Sequence, residues 1–429
     1  MTERTIKVDA LARVEGEGAL YVRLKGNEIE AVEFRIFEPP RFFEAFLRGR
    51  DAAEVPDITS RICGICPIAY IMSSSLALEQ ALGMHPSPEI QALRRMLYCG
   101  EWIQSHVLHA AMLHAPDFLG MADAMDIARD HPELVRKALK LKKIGNSLME
   151  AVGGRSVHPV NTRVGGFYRA PDRAAVAALI PELEWGVGAA RDLALAFAGF
   201  DFPDDAGDYT FVSLIHPSTY PIIEGRIGSN RGLDIPVHAF LDHFHEEHVA
   251  RSNALQGRMN DGSTYLVGPL ARYANNYSQL TDTCRDTARA AGLGEVEQNP
   301  FKSILVRMVE VQYACEEALR IAKSYVPPAP AFVELPQRAG TGHACTEAPR
   351  GICYHRYETD AESRIVVATI IPPTSQNQPQ IEADLGRVVA RSLAMGDEAL
   401  KWRCEQTIRN YDPCISCATH FLRLTVERV

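Results

Sequence analysis

Two CxxC elbows stand at opposite ends of this 429-residue chain, Cys63 and Cys66 in "RICGICPIAY" and Cys414 and Cys417 in "DPCISCATH". A fold that uses both must bring its two extremities together. Each elbow lets both of its sulfurs reach one ion, yet taken singly each has a bland explanation as a redox dithiol, half a structural zinc site, or coincidence. A zinc knuckle usually keeps its half-sites within a few tens of residues, so that a small unit folds around the ion. Here the elbows lie far apart, an arrangement that costs only logarithmically more in loop closure and suits a site at the centre of a large protein. A redox dithiol needs one elbow and leaves the other unexplained. Four soft thiolates suit nickel, iron or zinc, and sulfurs can bridge two metals. One bridging and one terminal sulfur from each elbow would make a binuclear centre.

The remaining six of the ten cysteines, Cys99, Cys284, Cys315, Cys345, Cys353 and Cys404, are scattered singletons and read as small buried hydrophobes. They are too sparse for a disulfide scaffold, which points to a reducing compartment. A net charge of −9, with both signs mixed along the chain, argues against nucleic-acid binding. The first twenty residues lack the apolar stretch and cleavage site of a signal peptide, and no run reaches the length of a membrane span. A cytoplasmic protein without a direct membrane span is the expectation.

Hydrophobic periodicity predicts an α+β fold, mainly α, with a large buried helical core, a small N-terminal antiparallel sheet and further short hairpins. The expected organisation is one large catalytic domain over 1–429. Within it lie a β region over 1–38, a helical core over 39–200 and irregular loops with short strands over 201–297. A helix, a hairpin and a metal-binding tail follow over 298–420. The run "EIQALRRMLYCGEWIQSHVLHAAML" reads as one long buried helix, and Pro181 is expected either to kink its helix or to mark the first turn. Residues 350–372 read as a β-hairpin around "TDAE". No Gly-rich phosphate loop or dinucleotide fingerprint occurs.

In its motifs and their order the chain resembles the large subunit of [NiFe]-hydrogenases. The resemblance runs in order through "ARVEGEG", "PRFFEAFLRGR", "SRICGIC", "GGRSVHPVNTRVGG", "YLVGPLARY", "EAPRG", "PPTSQN" and "DPCISCATH". It implies that Cys63 and Cys414 are terminal nickel ligands, while Cys66 and Cys417 bridge nickel to an iron carrying cyanide and carbonyl ligands. It further implies a third metal near the tail, Mg²⁺ or Fe²⁺, held by Glu15, the carbonyl of Ile370 and His420. Arg350 resembles the guanidinium suspended over the metals, with Pro349 and Thr374 lining the same pocket. Without the family, Glu15 would read as a solvated hairpin glutamate and Arg350 as a surface or salt-bridge residue.

Splitting H2 heterolytically needs a Lewis acid and a nearby base. The resemblance favours the terminal thiolate of Cys414 as the base. It makes Glu44 the proton-transfer carboxylate, with its flanking phenylalanines and leucine expected to enclose it and raise its pKa. Asp412 is expected as a further carboxylate behind the ligands.

The six single cysteines show none of the spacings of iron–sulfur sites, so electrons must leave to another chain. The family supplies a small subunit with a [4Fe–4S] cluster. Glu17 in "VEGEG" and the segment "EPPRFFEAF" look more like the cytoplasmic, multi-subunit, NAD(P)-linked branch, which adds diaphorase-type subunits carrying NAD(P) and flavin. Residues 421–429 resemble an extension removed by a maturation endopeptidase. Two departures stand out. Tyr70 replaces a histidine common after the first elbow, and Ser105 replaces an aspartate that pairs with the arginine in many relatives. Two rival readings stand beside this one: a nickel-free subunit related to respiratory complex I, which would have lost the elbows, and a zinc-stabilised scaffold.

Overall fold

In the computed structural model, residues 3 to 420 are described, so the expected cleavable extension at 421–429 lies outside the described residues. Strands Glu3–Val8, Gly18–Lys25 and Glu28–Ile36 form the predicted N-terminal sheet, all antiparallel. Along the middle strand Leu20, Val22 and Leu24 are fully buried while their neighbours are partly exposed, the alternation of a one-sided sheet. The sheet packs on the helix Pro373–Arg391 through its third strand, Glu28–Ile36.

Four long helices make the core: Pro88–Val107, Pro132–Gly153, Ile180–Phe197 and Ser303–Lys323. Their termini follow ordinary capping chemistry. The Ser87 side chain accepts from the Ile90 amide, and Pro88 and Pro132 sit in first turns, where a missing N–H costs nothing. Pro181 likewise marks a first turn rather than a kink. The run expected to be one helix through Leu113 departs from α geometry at Leu108 and continues to His114 as a π-helical turn. Such insertions concentrate at functional sites, and this one buries His109 and His114.

The segment read as irregular loops with short strands holds a small sheet, Val212–Ile215, Arg226–Ser229 and Asp234–Ile235, and the hairpin Phe244–His248 with Leu255–Met259. The short helix Pro269–Asn276, absent from the sequence expectation, follows them. The predicted hairpin is present as Gly351–Thr359 and Ile365–Ile371, and a third strand, Gly340–Ala348, joins its other edge. This sheet lies against the helix Pro67–Leu82, which starts at the second cysteine of the first elbow. The N-terminal loop, that helix, the sheet and the C-terminal tail therefore meet at one point. The six scattered cysteines are all buried. Among the described residues no helix is long and apolar enough to cross a membrane.

Candidate metal centre

The tail is drawn to the N-terminal loop by main-chain pairing: Glu15 and Cys414 form an isolated parallel bridge, with the Ile415 amide donating to the Glu15 carbonyl at 3.0 Å. Gly16 makes this approach possible, because a Cβ there would lie 2.6 Å from Ile415 Cβ, and its φ of +89° belongs to glycine. Arg41 ties both elbows from a third side, donating to the carbonyls of Ile62 and Ser416. Glu101, fully buried on the Pro88–Val107 helix, accepts from the amides of Ile68 at 2.6 Å and Ala69 at 3.1 Å. It thereby caps the helix that begins beside Cys66. Burial pushes the Glu101 carboxyl up, against the pull of those amides.

Under these constraints the four sulfurs converge. Cys63 Sγ lies 3.2 Å from Cys414 Sγ, Cys66 Sγ lies 3.6 Å from Cys417 Sγ, and the two tail sulfurs are 2.8 Å apart. All four fall within 4.8 Å of one another and are buried. A tetrahedral thiolate site with bonds of about 2.3 Å has similar sulfur spacings, so the donor set fits one soft ion or a bridged pair. Burial pushes the thiols of Cys414 and Cys417 up, while hydrogen bonds from the other sulfurs, Cys414 first, hold Cys63 low. Buried thiolates in this number need a cation to balance them.

Arg350 leaves the turn between strands Gly340–Ala348 and Gly351–Thr359 and is 3% exposed. Its Nε donates to the Asp412 carbonyl at 2.7 Å and its Nη2 to Asp412 Oδ1 at 3.0 Å. Ser105 Oγ lies 3.5 Å from Nη1, a marginal contact. Asp412 is thus the acceptor that the arginine uses where Ser105 stands. Thr374 Oγ1 accepts the Cys414 amide at 3.0 Å. Tyr70 is buried, its hydroxyl has no partner among the described residues, and its ring centroid is 5.8 Å from that of His355.

The two expected carboxylates sit the other way round. Glu15 is not beside Ile370: its Oε2 lies 3.0 Å from Cys414 Sγ and accepts the Ser416 amide at 3.1 Å. Burial, then the charge of Cys63, pushes the Glu15 carboxyl up. Glu44 is the residue at Ile370, accepting that amide on Oε1 at 2.7 Å. Around Glu44 the apolar neighbours divide: Phe42 and Phe46 turn outward and are 43% and 53% exposed, while Phe43 packs against the core and Leu47 is fully buried. The reversal has a physical reason. The parallel bridge carries Glu15 to the second elbow, whereas the Phe43–Leu47 helix packs on strand Ile365–Ile371 and carries Glu44 to Ile370.

His420 joins the Ile370 group, with Nε2 2.7 Å from the Ile370 carbonyl and Nδ1 against the Cys417 carbonyl. Burial pushes this imidazole down, toward the neutral form. A neutral imidazole has one N–H for two carbonyl oxygens, so Nε2 and the Ile370 carbonyl are both placed to serve as ligands to a cation, which would remove that mismatch. Glu44→Gln is therefore expected to leave proton exchange with H2 near the level of the unaltered chain while loosening the tail, read as faster proteolysis after residue 410. A large loss of exchange with an unchanged tail would restore the original assignment.

Sequence reasoning missed Arg41 and Glu101. Arg41 lies inside a recognised motif, but its two carbonyl partners come from different elbows. Glu101 resembles any polar residue of a helix until the start of the neighbouring helix is placed against it.

The model of the nickel-dependent hydrogenase family matches residues 41–169 and 257–420. Sulfhydrogenase 1 subunit alpha of Pyrococcus furiosus is 31% identical over 426 residues, covering 98% of both chains. The NAD-reducing hydrogenase HoxS subunit beta of Cupriavidus necator is 26% identical over 472 residues, covering 98% of this chain and 95% of that one. Among solved structures, an NAD+-reducing [NiFe]-hydrogenase in the H2-reduced state superposes with a TM-score of 0.84 at 24% identity, covering 97% of this chain and 99% of that chain, a likeness of fold.

Proposed function

The chain belongs to the nickel-dependent hydrogenase family, and from that premise we propose that Cys63, Cys66, Cys414 and Cys417 hold a thiolate-bridged Ni–Fe centre, its iron carrying cyanide and carbonyl, at which H2 is cleaved or formed. The observation that carries this reading is the convergence of four buried sulfurs from the two ends of the chain within 4.8 Å. When bound, the metal pair supplies Lewis acidity and a redox couple.

The side chains supply the rest. The Cys414 sulfur is the base, and Glu15 Oε2, 3.0 Å away, takes the proton from it. A carboxyl pushed up by burial is a better match to a thiol than an exposed one, and the Ser416 amide holds it in place. Arg350 sets a positive charge over the thiolates, aimed by Asp412, and its cost of burial is offset by that carboxylate. Pro349 and Thr374 line the same pocket, and burial of all four cysteines keeps water from the reacting atoms. Glu44, the Ile370 carbonyl and His420 form the third-metal site, and a carboxylate, a carbonyl and one imidazole suit Mg²⁺ or Fe²⁺.

Electrons leave to a small subunit bearing a [4Fe–4S] cluster. The NAD-reducing relative supports diaphorase-type partners, while flavin, a cytoplasmic setting and a maturation endopeptidase acting on residues 421–429 rest on the resemblance in sequence. The test is metal analysis and infrared spectroscopy of the purified complex together with hydrogen-dependent dye reduction. Equimolar nickel and iron with cyanide and carbonyl stretches is the expected result. Zinc alone, with no such bands, overturns it.

A further inference from the structure

Arg272 is fully buried on the Pro269–Asn276 helix, and the function proposed above gives it no role. Every one of its five N–H groups has a partner. Nε and Nη2 fork onto Glu310 at 2.8 and 2.7 Å, and Nη1 donates to Glu347 Oε2 at 3.0 Å. The remaining two reach main-chain carbonyls, Nη1 to Ala348 at 2.8 Å and Nη2 to Pro349 at 3.0 Å. Trp102, whose ring centroid is 4.5 Å from the guanidinium, donates from Nε1 to the Glu347 carbonyl at 2.8 Å. Three consecutive carbonyls leading into Arg350 are therefore tied down.

The carbonyl of Arg350 itself meets the first turn of the same helix. Gly268, at φ +113°, approaches so closely that a Cβ there would lie 2.7 Å from that oxygen. The helix thus grips the turn at two points, through Gly268 and, one turn later, through Arg272. Stability alone is a poor reason for this arrangement, since a buried ion network is often no more stable than apolar packing of the same volume. What a planar fork does supply is direction at two oxygens simultaneously. Direction matters here because Ser105 gives Arg350 only a 3.5 Å contact, leaving Asp412 and the main chain to aim it.

We propose that Arg272 is the positioning residue for Arg350: by holding the Ala348 and Pro349 carbonyls against the Glu310 and Glu347 carboxylates, it fixes the turn from which Arg350 reaches over the thiolates. This rests on the reading of Arg350 as the charge above the metal centre. Among the described residues the hydrogen-bond partners of Arg272 include no cysteine, and it acts through the turn.

The test is a double-mutant cycle on the intact complex, with Arg272→Lys, Arg350→Lys and the pair, reading kcat for hydrogen-dependent dye reduction and nickel content. Lysine keeps the charge beside Glu310 and Glu347 but cannot span two carboxylates and two carbonyls. Arg272→Lys is expected to lower kcat by about 10-fold or more, in the range that small misplacements of a reacting group produce, with nickel content unchanged. In the Arg350→Lys background the same change is expected to lower kcat less than about twofold, because the group it aims is already gone. Equal losses in both backgrounds overturn the proposal and make Arg272 a structural residue. No loss from Arg350→Lys alone overturns the reading of Arg350 and the proposal with it, whereas absence of nickel and iron from the unaltered complex overturns the metal assignment separately. Should Arg272→Lys not accumulate as folded protein, Gly268→Ala presses on the Arg350 carbonyl from the other side. The same cycle then applies, with the same coupling expected and additivity again refuting.

Discussion

Glu15→Gln is expected to slow hydrogen-dependent dye reduction by about 10²–10⁴-fold, the usual contribution of a positioned acid–base group, with nickel and iron retained. Glutamine preserves the shape of the side chain and can still accept the Ser416 amide, so the join between the N-terminal loop and the tail should survive. What it cannot do is take a proton from Cys414, 3.0 Å away. The loss should therefore appear equally in hydrogen–deuterium exchange catalysed by the complex, a reaction that needs proton movement but no external electron acceptor. Normal exchange in this variant would remove Glu15 from the proton route. A loss of nickel would show instead that the carboxylate serves metal retention. Measured beside Glu44→Gln, the experiment separates the two carboxylates directly, since only one of them borders a candidate ligand sulfur.

Cys66→Ser should have a still larger effect, eliminating turnover, nickel and iron together and lowering the melting temperature. The second elbow is joined to the first by four sulfurs and by the Arg41 contacts to the Ile62 and Ser416 carbonyls. Metal binding at thiolate sites is worth on the order of 10 kcal/mol of folding free energy, and the two elbows are 351 positions apart along the chain, so the clip constrains most of the molecule. Serine leaves a hard, weakly acidic ligand where a soft thiolate stood. Differential scanning calorimetry with metal analysis reads both effects. A serine variant that kept its nickel and its melting temperature would refute a role for Cys66 in binding.

The architecture was legible where one residue type meets one local demand. Alternating apolar positions announced the N-terminal sheet, and Pro181 left a kink or a first turn as the choices, of which the helix took the second. The elbows were legible because CxxC spacing has few other uses, and the motif order around them gave the family. The exchange of Glu15 and Glu44 was not legible. Each is a glutamate in a short loop-bordered motif, and which reaches Cys414 depends on a parallel bridge between residues 399 positions apart. The strand Gly340–Ala348 escaped because its small residues and two glycines carry little β signal, its place being set by the helix Pro67–Leu82 on which it rests. The π-helical turn keeps the same apolar spacing as the helix before it, so only the buried imidazoles of His109 and His114 betray it. Arg272 and Glu101 escaped for a common reason. Glu101 bonds main-chain amides, and Arg272 divides its N–H groups between main-chain carbonyls and the carboxylates of Glu310 and Glu347 far along the chain, none of which a local sequence pattern records.

The bridge between Glu15 and Cys414 also imposes an order on synthesis. A ribosome makes the Cys63 side of this cavity 351 residues before the Cys414 side, so throughout that interval Cys63 and Cys66 have no sulfur partners opposite them. Whatever delivers the ions must wait for the second elbow, or grip the early one and hold it until the late one arrives.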